Sequence, residues 1–103
     1  KVVIIPLNMK KVMIIDDDEV FLKLTSKFLK KNGLETITCE NWSIAEKNLN
    51  ESLADLVIID LYLPDTSGIK VIPEIKKIDP NPMILIKASA NYQGSVYVPI
   101  YTA

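Results

Sequence analysis

The sequence has 103 residues, of which 49% are hydrophobic and 24% charged, so it has the size of one domain and is too apolar for a disordered chain. Its 12 lysines and 13 acidic residues give a net charge of −1, which lacks the basic excess of nucleic-acid-binding domains, so we expect no direct binding to DNA or RNA. No apolar run approaches the roughly 20 residues of a membrane span and no signal peptide is evident, so we expect a cytoplasmic protein without membrane association.

The beginning of the chain predicts an extension followed by a buried strand. We interpret residues 1–8 as an N-terminal extension whose apolar run Val2–Ile5 is able to form an extra strand, and residues 9–103 as the domain itself. The run Val12–Ile15 is continuously apolar. Such runs are typical of strands that are buried on both faces of a parallel sheet.

Two helices flank an edge strand in the next part of the chain. The first helix is predicted over Glu19–Asn32, with Asp18 as its cap. The alternating segment Leu34–Cys39 favours a half-buried edge strand. Ser43 begins a capping-box pattern, which predicts a short helix that ends near Asn50.

The second half of the chain continues the alternation of strands and helices. Leu56–Ile59 is a second continuous apolar run, and turn residues follow it. A helix is predicted over Ile69–Ile78, a third buried strand at Met83–Ile86 and a last apolar strand at Val96–Ile100. This order predicts an α/β protein with a doubly wound parallel sheet.

Acidic residues follow two of the three buried runs, and a lysine follows the third. These residues are Asp16 and Asp17, Asp60, and Lys87. Functional sites of doubly wound sheets lie beyond the carboxyl ends of the central strands, so we expect the four side chains to converge. An acid after a strand is often only a helix cap or a turn former, but acids at two strand ends favour a site. Converging carboxylates repel one another, and a divalent cation relieves that repulsion.

The residue types that are missing restrict the metal. The sequence contains no histidine, no arginine and one cysteine, Cys39. Ser-His-Asp catalysis, a disulfide framework and a zinc site built from histidine and cysteine are therefore excluded within one chain. Oxygen ligands remain, which favour Mg²⁺, Mn²⁺ or Ca²⁺.

Three segments resemble the receiver domain of two-component response regulators: Val12–Asp18, Leu56–Gly68 and Pro82–Ala88. The resemblance implies a flavodoxin-like fold and a phosphorelay function, with a histidine kinase or a phosphotransfer protein as partner. It also implies a protein that switches a partner surface and is not an enzyme beyond its own phosphoryl transfer and dephosphorylation.

The resemblance also assigns roles to individual residues. It implies that Asp60 accepts the phosphoryl group and that Gly68 permits the tight turn after the third strand. It further implies a Mg²⁺ site whose ligands are Asp16, Asp17, Asp60 and the backbone carbonyl of Tyr62.

The chain departs from the receiver pattern after the fourth strand. Lys87 stands where the family has a serine or threonine, and Ser89, two residues later, is the nearest hydroxyl. The best counterpart of the family's lysine–proline pair on the fifth strand is Val98–Pro99, so that lysine is missing. We expect Lys87 to replace it as the partner of Asp60 or of its phosphoryl group, with Ser89 as a second phosphoryl contact. We expect the fourth and fifth helices of the family to be missing or replaced in this chain.

Three other functions are alternatives to a phosphoacceptor. The departures favour a pseudo-receiver that acts through protein contacts without phosphorylation. A phosphatase of the haloacid dehalogenase type needs a second aspartate where this chain has Tyr62, and a flavodoxin needs a serine- and threonine-rich loop after the first strand, which this chain lacks. Because the missing helices would uncover apolar parts of the sheet near the fourth and fifth strands, we also expect a homodimer that buries this region, with or without an exchange of strands between the two copies.

Overall fold

The structure is a computed structural model that describes residues 9–91 and 94–100, with side chains described for residues 9–88, Tyr97 and Pro99. The predicted N-terminal extension, residues 1–8, lies outside the described residues. Among the helices of the described part, none combines the length and the apolar character needed to cross a bilayer. The elements in chain order are β1 Lys11–Ile15, α1 Glu19–Lys31, β2 Glu35–Cys39, α2 Trp42–Glu51, β3 Leu56–Asp60, α3 Gly68–Ile78, β4 Met83–Asn91 and β5 Gly94–Ile100.

The first four strands form the predicted parallel sheet. The strand order is β2-β1-β3-β4-β5, and each neighbouring pair among the first four strands is parallel. The doubly wound α/β fold and the edge position of β2 are therefore confirmed. Because β3 lies between β1 and β4, the carboxyl ends of these three strands meet at one edge of the sheet, and Asp60 is the register partner of Lys87.

The last strand differs from the expected parallel arrangement, because β5 runs antiparallel to β4. β4 ends at Asn91 and β5 begins at Gly94, whereas a parallel connection needs about a dozen residues or more. The predicted strand Met83–Ile86 is correspondingly extended to Asn91, with a register irregularity between Lys87 and Ser89. Since β5 runs in the opposite direction to a receiver's fifth strand, Val98–Pro99 is not the counterpart of the family's lysine–proline pair.

Helices cover the sheet from both sides and create two cores. The side of α2 and α3 buries one apolar cluster, which includes Met13, Ile59 and Ile75. The side of α1 buries a second cluster, which includes Ile14 and Leu29. Alternate residues of β1 and β3 belong to different clusters, which explains why these strands are apolar at every position.

The caps of α1 and α2 fix the entrances to both helices. The Asp18 carboxylate accepts hydrogen bonds from the amides of Val20 and Phe21, at 3.0 and 3.1 Å, as expected for the cap of α1. The prediction that Ser43 caps α2 is wrong, because the cap is Asn41, whose side-chain oxygen accepts the Ile44 amide at 2.9 Å.

Asp65 explains why α2 begins earlier than the capping-box pattern indicated. Its two carboxylate oxygens accept the amides of Trp42 and Ser43, each at 3.0 Å. These donors would otherwise lack partners at the helix start. Asp65 lies in the loop after β3, so the contact also ties this loop, which borders the carboxyl edge, to α2.

We predict that Asn41→Ala and Asp65→Ala each destabilise the fold by about 1 kcal/mol, the usual cost of losing a helix cap. Ser43→Ala is the matched control, because the Ser43 side chain is exposed and its replacement should leave stability nearly unchanged. Urea unfolding measures all three variants. A loss for Ser43→Ala as large as that for Asn41→Ala would contradict the assigned cap.

Candidate metal and phosphoryl site at the carboxyl edge of the sheet

An open pocket lies over the carboxyl ends of β1, β3 and β4, and we call it the acidic pocket. Its volume is about 420 Å³. Each of the three strands contributes to its wall, so residues that are far apart in sequence come together there. The pocket is lined by Asp16, Asp17, Asp18, Asp60, Tyr62, Lys87 and Ala88.

Three carboxylates converge in the acidic pocket. Asp16, Asp17 and Asp60 each offer an oxygen that lies within 4.8 Å of the oxygens of the other two. Asp16 is buried, Asp60 is half-buried and Asp17 is exposed, so the cluster opens toward solvent on one side. The negative charges of the three carboxylates repel one another, so the arrangement attracts a cation.

Asp16 is the most constrained of the three acids. Its backbone amide donates to the Cys39 carbonyl at 2.9 Å, which fixes the residue at the end of β1. Its Oδ1 accepts the Asp18 amide at 2.9 Å, and its Oδ2 accepts the Lys87 ammonium at 2.5 Å. Both carboxylate oxygens of Asp16 therefore already have protein partners.

Lys87 is buried rather than extended into solvent. The side chain is 7% exposed, and its ammonium lies 4.0 Å from the centre of the Phe21 ring. The structure pairs this ammonium with Asp16, whereas the sequence pointed to Asp60. The reason is geometric, because the Lys87 side chain reaches past its register partner Asp60 to the end of β1.

The Lys87 ammonium is held in its charged form by its neighbours. Burial alone lowers the pKa of Lys87, but the hydrogen bond to Asp16 and the negative charges of Asp16 and Asp60 outweigh it. The net pKa of Lys87 is raised above its ordinary value. At neutral pH the acidic pocket therefore carries a fixed positive charge.

For Asp60, in contrast to Lys87, the effect of burial on the pKa is not outweighed by the neighbouring groups. Its pKa is raised, first by burial and then by the nearby charge of Asp16, while the Tyr62 amide and Lys87 oppose the increase. The hydrogen bond from the Tyr62 amide to Asp60 Oδ1 is long, at 3.4 Å. Asp60 thus accepts one long hydrogen bond, whereas Asp16 accepts two shorter ones.

Gly68 lies against the backbone of Asp60. A Cβ atom at this position would be 2.3 Å from the Asp60 carbonyl oxygen, closer than any side chain tolerates. The Gly68 amide also donates to the Leu61 carbonyl at 2.8 Å. Gly33 is the described glycine with positive φ, so Gly68 is required for space and not for an unusual backbone conformation.

The other predicted site residues are placed less completely. Tyr62 lies at the rim of the acidic pocket, and 75% of the residue is exposed. Ser89 lies on β4 beyond the register irregularity, and its side chain is outside the described residues. The sequence analysis did not identify Phe21, because its ring contact with the Lys87 ammonium depends on the depth at which Lys87 is buried.

The acidic pocket fits a hard divalent cation. All the available donors are oxygens, and the three carboxylates are close enough to share one ion. Asp17 is exposed, and Asp60 is engaged by one long hydrogen bond, so both can turn toward a ligand. Asp16 retains lone pairs on each oxygen, since a carboxylate can accept about four hydrogen bonds or metal contacts.

Comparison with known sequences assigns the whole domain to one kind of protein. The response regulator receiver domain family matches residues 12–97. The chemotaxis protein CheY of Bacillus subtilis is 31% identical over 87 residues, which are 84% of this chain and 72% of CheY. A homologue of the transcriptional regulatory protein CpxR from Haemophilus influenzae is 34% identical over 80 residues, 78% of this chain and 35% of that protein. The chain therefore spans only about a third of that regulator.

Solved structures of the same kind share the fold. A response regulator from Burkholderia pseudomallei, determined with a phosphorylated aspartic acid, a calcium ion and citrate, has a TM-score of 0.72 and 27% identity, covering 75% of this chain and 45% of that one. The beryllofluoride-activated NtrC4 receiver domain dimer has a TM-score of 0.71 and 28% identity, covering 76% of this chain and 64% of that one.

We predict that Asp60→Asn raises the melting temperature by a few degrees at pH 7 in metal-free buffer. Because the folded-state pKa of Asp60 is raised, its ionisation destabilises the fold above that pKa, and the penalty is absent below the unfolded value of about 3.9. The gain should therefore disappear as the pH falls below about 4.

Asp55 provides a control of opposite sign for this measurement. Its pKa is lowered by hydrogen bonds from the Lys10 and Lys11 amides, so Asp55→Asn should lower the melting temperature at pH 7. That loss should also vanish in acid, because a protonated Asp55 no longer favours the fold. Thermal unfolding from pH 3 to 8 tests both variants, and a less stable Asp60→Asn at pH 7 would contradict the electrostatic account.

Proposed function

The chain belongs to the family of response regulator receiver domains, and on that premise we propose that Asp60 accepts a phosphoryl group in a two-component phosphorelay. The observation that carries the proposal is the convergence of Asp60 with two further carboxylates in a pocket open to solvent. The ends of β1 and β3 position these carboxylates, and Gly68 leaves room for the backbone of Asp60. A histidine kinase or a phosphotransfer protein would be the donor.

The proposed reaction is a direct transfer between two side chains. An oxygen of Asp60 attacks the phosphorus atom of a phosphohistidine, in line with the bond that breaks. The phosphorus–nitrogen bond cleaves, its electron pair remains on the imidazole, and Asp60 becomes an acyl phosphate. The protein contributes position and charge to this step.

The cofactor that we propose is Mg²⁺. Asp16, Asp17, Asp60 and the carbonyl of Tyr62 would hold it, and it would supply neutralisation of the phosphoryl oxygens. Lys87 would add a second positive charge beside the phosphoryl group, in the role of the missing lysine, and Ser89 is the nearest hydroxyl along β4. We propose no catalysis of other substrates.

We propose that the output is a change of protein contacts in the cytoplasm, without direct binding of nucleic acid or membrane by this domain. The net charge of −1 supports an output through protein surfaces. Activities that belong to longer relatives, such as transcriptional regulation, would reside outside the part that this chain matches.

A pseudo-receiver is the second candidate function, and one contact favours it. The ion pair between Lys87 and Asp16 already partly neutralises the acidic pocket from within the chain. A domain whose acidic charge is partly neutralised in this way can keep the fold of a receiver and act by protein binding alone. Covalent phosphorylation of Asp60 separates the two functions.

We also propose that the domain forms a homodimer. Three exposed apolar side chains repeat every four residues along α1, at Val20, Leu24 and Phe28, and thus form a stripe on one helix. α1 covers the side of the sheet that receivers cover with their first and last helices, and the described residues after β4 include no helix. A stripe from a second copy would bury these side chains, and the NtrC4 receiver neighbour is a dimer.

We predict that acetyl phosphate and Mg²⁺ increase the intact mass by one phosphoryl group, about 80 Da, and that the adduct is labile at alkaline pH, as acyl phosphates are. Asp60→Asn should abolish the adduct, and Asp65→Asn is the control, because Asp65 is an acid outside the pocket. Chelation of the metal should also prevent the reaction. An unmodified chain, measured together with a receiver that does react, would leave the pseudo-receiver as the function.

We predict a dimer in light scattering at tens of micromolar. Leu24→Lys with Phe28→Lys should convert it to a monomer, because two charges in an apolar interface lack partners. Ile44→Lys is the control, since Ile44 is an exposed apolar residue on α2, across the sheet. A monomeric native chain, or a dimer that survives the double substitution, would contradict an interface on α1.

A further inference from the structure

We propose that the Lys87 ammonium competes with the divalent cation for Asp16, so that this chain binds Mg²⁺ more weakly than the same site with a neutral residue at position 87. The inference rests on the metal site of the proposed function. It concerns a residue that departs from the receiver pattern, and it makes Lys87 a regulator of metal occupancy as well as a phosphoryl contact.

The first argument is that both carboxylate oxygens of Asp16 already accept a hydrogen bond. One of its oxygens accepts the Asp18 amide at 2.9 Å, and the other accepts the Lys87 ammonium at 2.5 Å. A metal that uses Asp16 must therefore bind beside the ammonium on the same carboxylate or displace it. Two cations on one buried carboxylate repel each other strongly because little solvent screens them.

The second argument is that the Lys87 side chain is buried and is held in place by contacts within the acidic pocket. The residue is 6% exposed, and its ammonium lies 4.0 Å from the centre of the Phe21 ring. The Lys87 carbonyl accepts the Leu61 amide at 3.2 Å, which fixes the backbone beside β3. The side chain consequently cannot withdraw to solvent without leaving both Asp16 and Phe21.

The third argument is the charge balance of the acidic pocket. The cluster of Asp16, Asp17 and Asp60 together with the Lys87 ammonium has two negative charges, so one divalent cation neutralises this cluster while Lys87 remains. With a neutral residue at position 87, the metal would face three uncompensated carboxylates. Removing Lys87 therefore strengthens the electrostatic attraction for the metal and weakens the metal-free fold.

The test compares Mn²⁺ binding by the native chain, Lys87→Met and Lys77→Met. Electron paramagnetic resonance measures the free Mn²⁺, and displacement by Mg²⁺ compares the two metals. Lys87→Met should bind Mn²⁺ at least about tenfold more tightly, since one unit charge nearby is worth about 1.4 kcal/mol or more. Lys77→Met removes the same charge from the exposed end of α3 and should bind like the native chain.

Thermal unfolding gives a second readout of the competition. Without metal, Lys87→Met should melt lower than the native chain because Asp16 is left buried without a counter-charge. Saturating Mg²⁺ should raise the melting temperature of Lys87→Met more than that of the native chain. If Lys87→Met does not fold without metal, Lys87→Gln is measured in the same way.

The native chain alone provides a further measurement. A buried ammonium that donates to a carboxylate exchanges its protons slowly, and the ring of Phe21 should shift its NMR signal. Saturation with Mg²⁺ should move or broaden the signal of the Lys87 ammonium, because its contact with Asp16 is lost or shared. An unchanged signal at saturation would overturn the competition.

The outcomes separate this inference from the proposed function. Equal Mn²⁺ affinity in the native chain and Lys87→Met overturns the competition and leaves the metal site intact. Tighter binding by Lys87→Met supports the competition, even if Asp60 is never phosphorylated. Binding by none of the chains removes the metal site from the proposed function and overturns the inference with it.

Discussion

The ion pair between Asp16 and Lys87 is the interaction on which the acidic pocket depends. It joins the ends of β1 and β4 across β3, the strand that carries Asp60. Taking both charges out of water costs several kcal/mol for each ion, and only a close contact with further partners offsets such a cost. The Asp18 amide and the Phe21 ring supply those partners, so the pair is satisfied from both ends.

A pair of this kind is better understood as a determinant of geometry than as a source of stability. Apolar residues of similar volume would often stabilise a core as well or better. What the pair specifies is the relation between strands, because a shift of one residue in β4 would move Lys87 to the other face of the sheet. The side chains that surround Asp60 are therefore fixed by charge as well as by packing.

Most of the fold could be predicted from the sequence, because the sequence patterns that indicate it are local or follow from sheet topology. The continuous apolar runs of β1 and β3 require burial on two faces, and parallel pairing then brings Asp16, Asp17 and Asp60 to one edge without any knowledge of distances. The start of α2 could not be predicted in this way. Its position depends on Asp65, which is more than 20 residues away in sequence.

The direction of β5 and the partner of Lys87 could not be predicted from local sequence patterns. An apolar strand pattern is the same in either direction, and only the two-residue connection to β4 requires the antiparallel hairpin. Similarly, a lysine beside three acids has several potential partners. Register places Lys87 opposite Asp60, but the length of the side chain carries the ammonium to Asp16, and this outcome depends on atomic packing.

Lys87 stands where the receiver pattern has a hydroxyl, and this difference changes how the acidic pocket would respond to a change of charge. A hydroxyl near a phosphoryl group would gain one hydrogen bond, which acts only at short range. An ammonium responds to the total charge of the acidic pocket, which becomes more negative when a carboxylate becomes an acyl phosphate. Lys87 contacts Phe21 on α1 as well as Asp16, so any change in its position alters the packing of the first turn of α1. The Lys87 side chain thus forms a physical connection between the acidic pocket and α1.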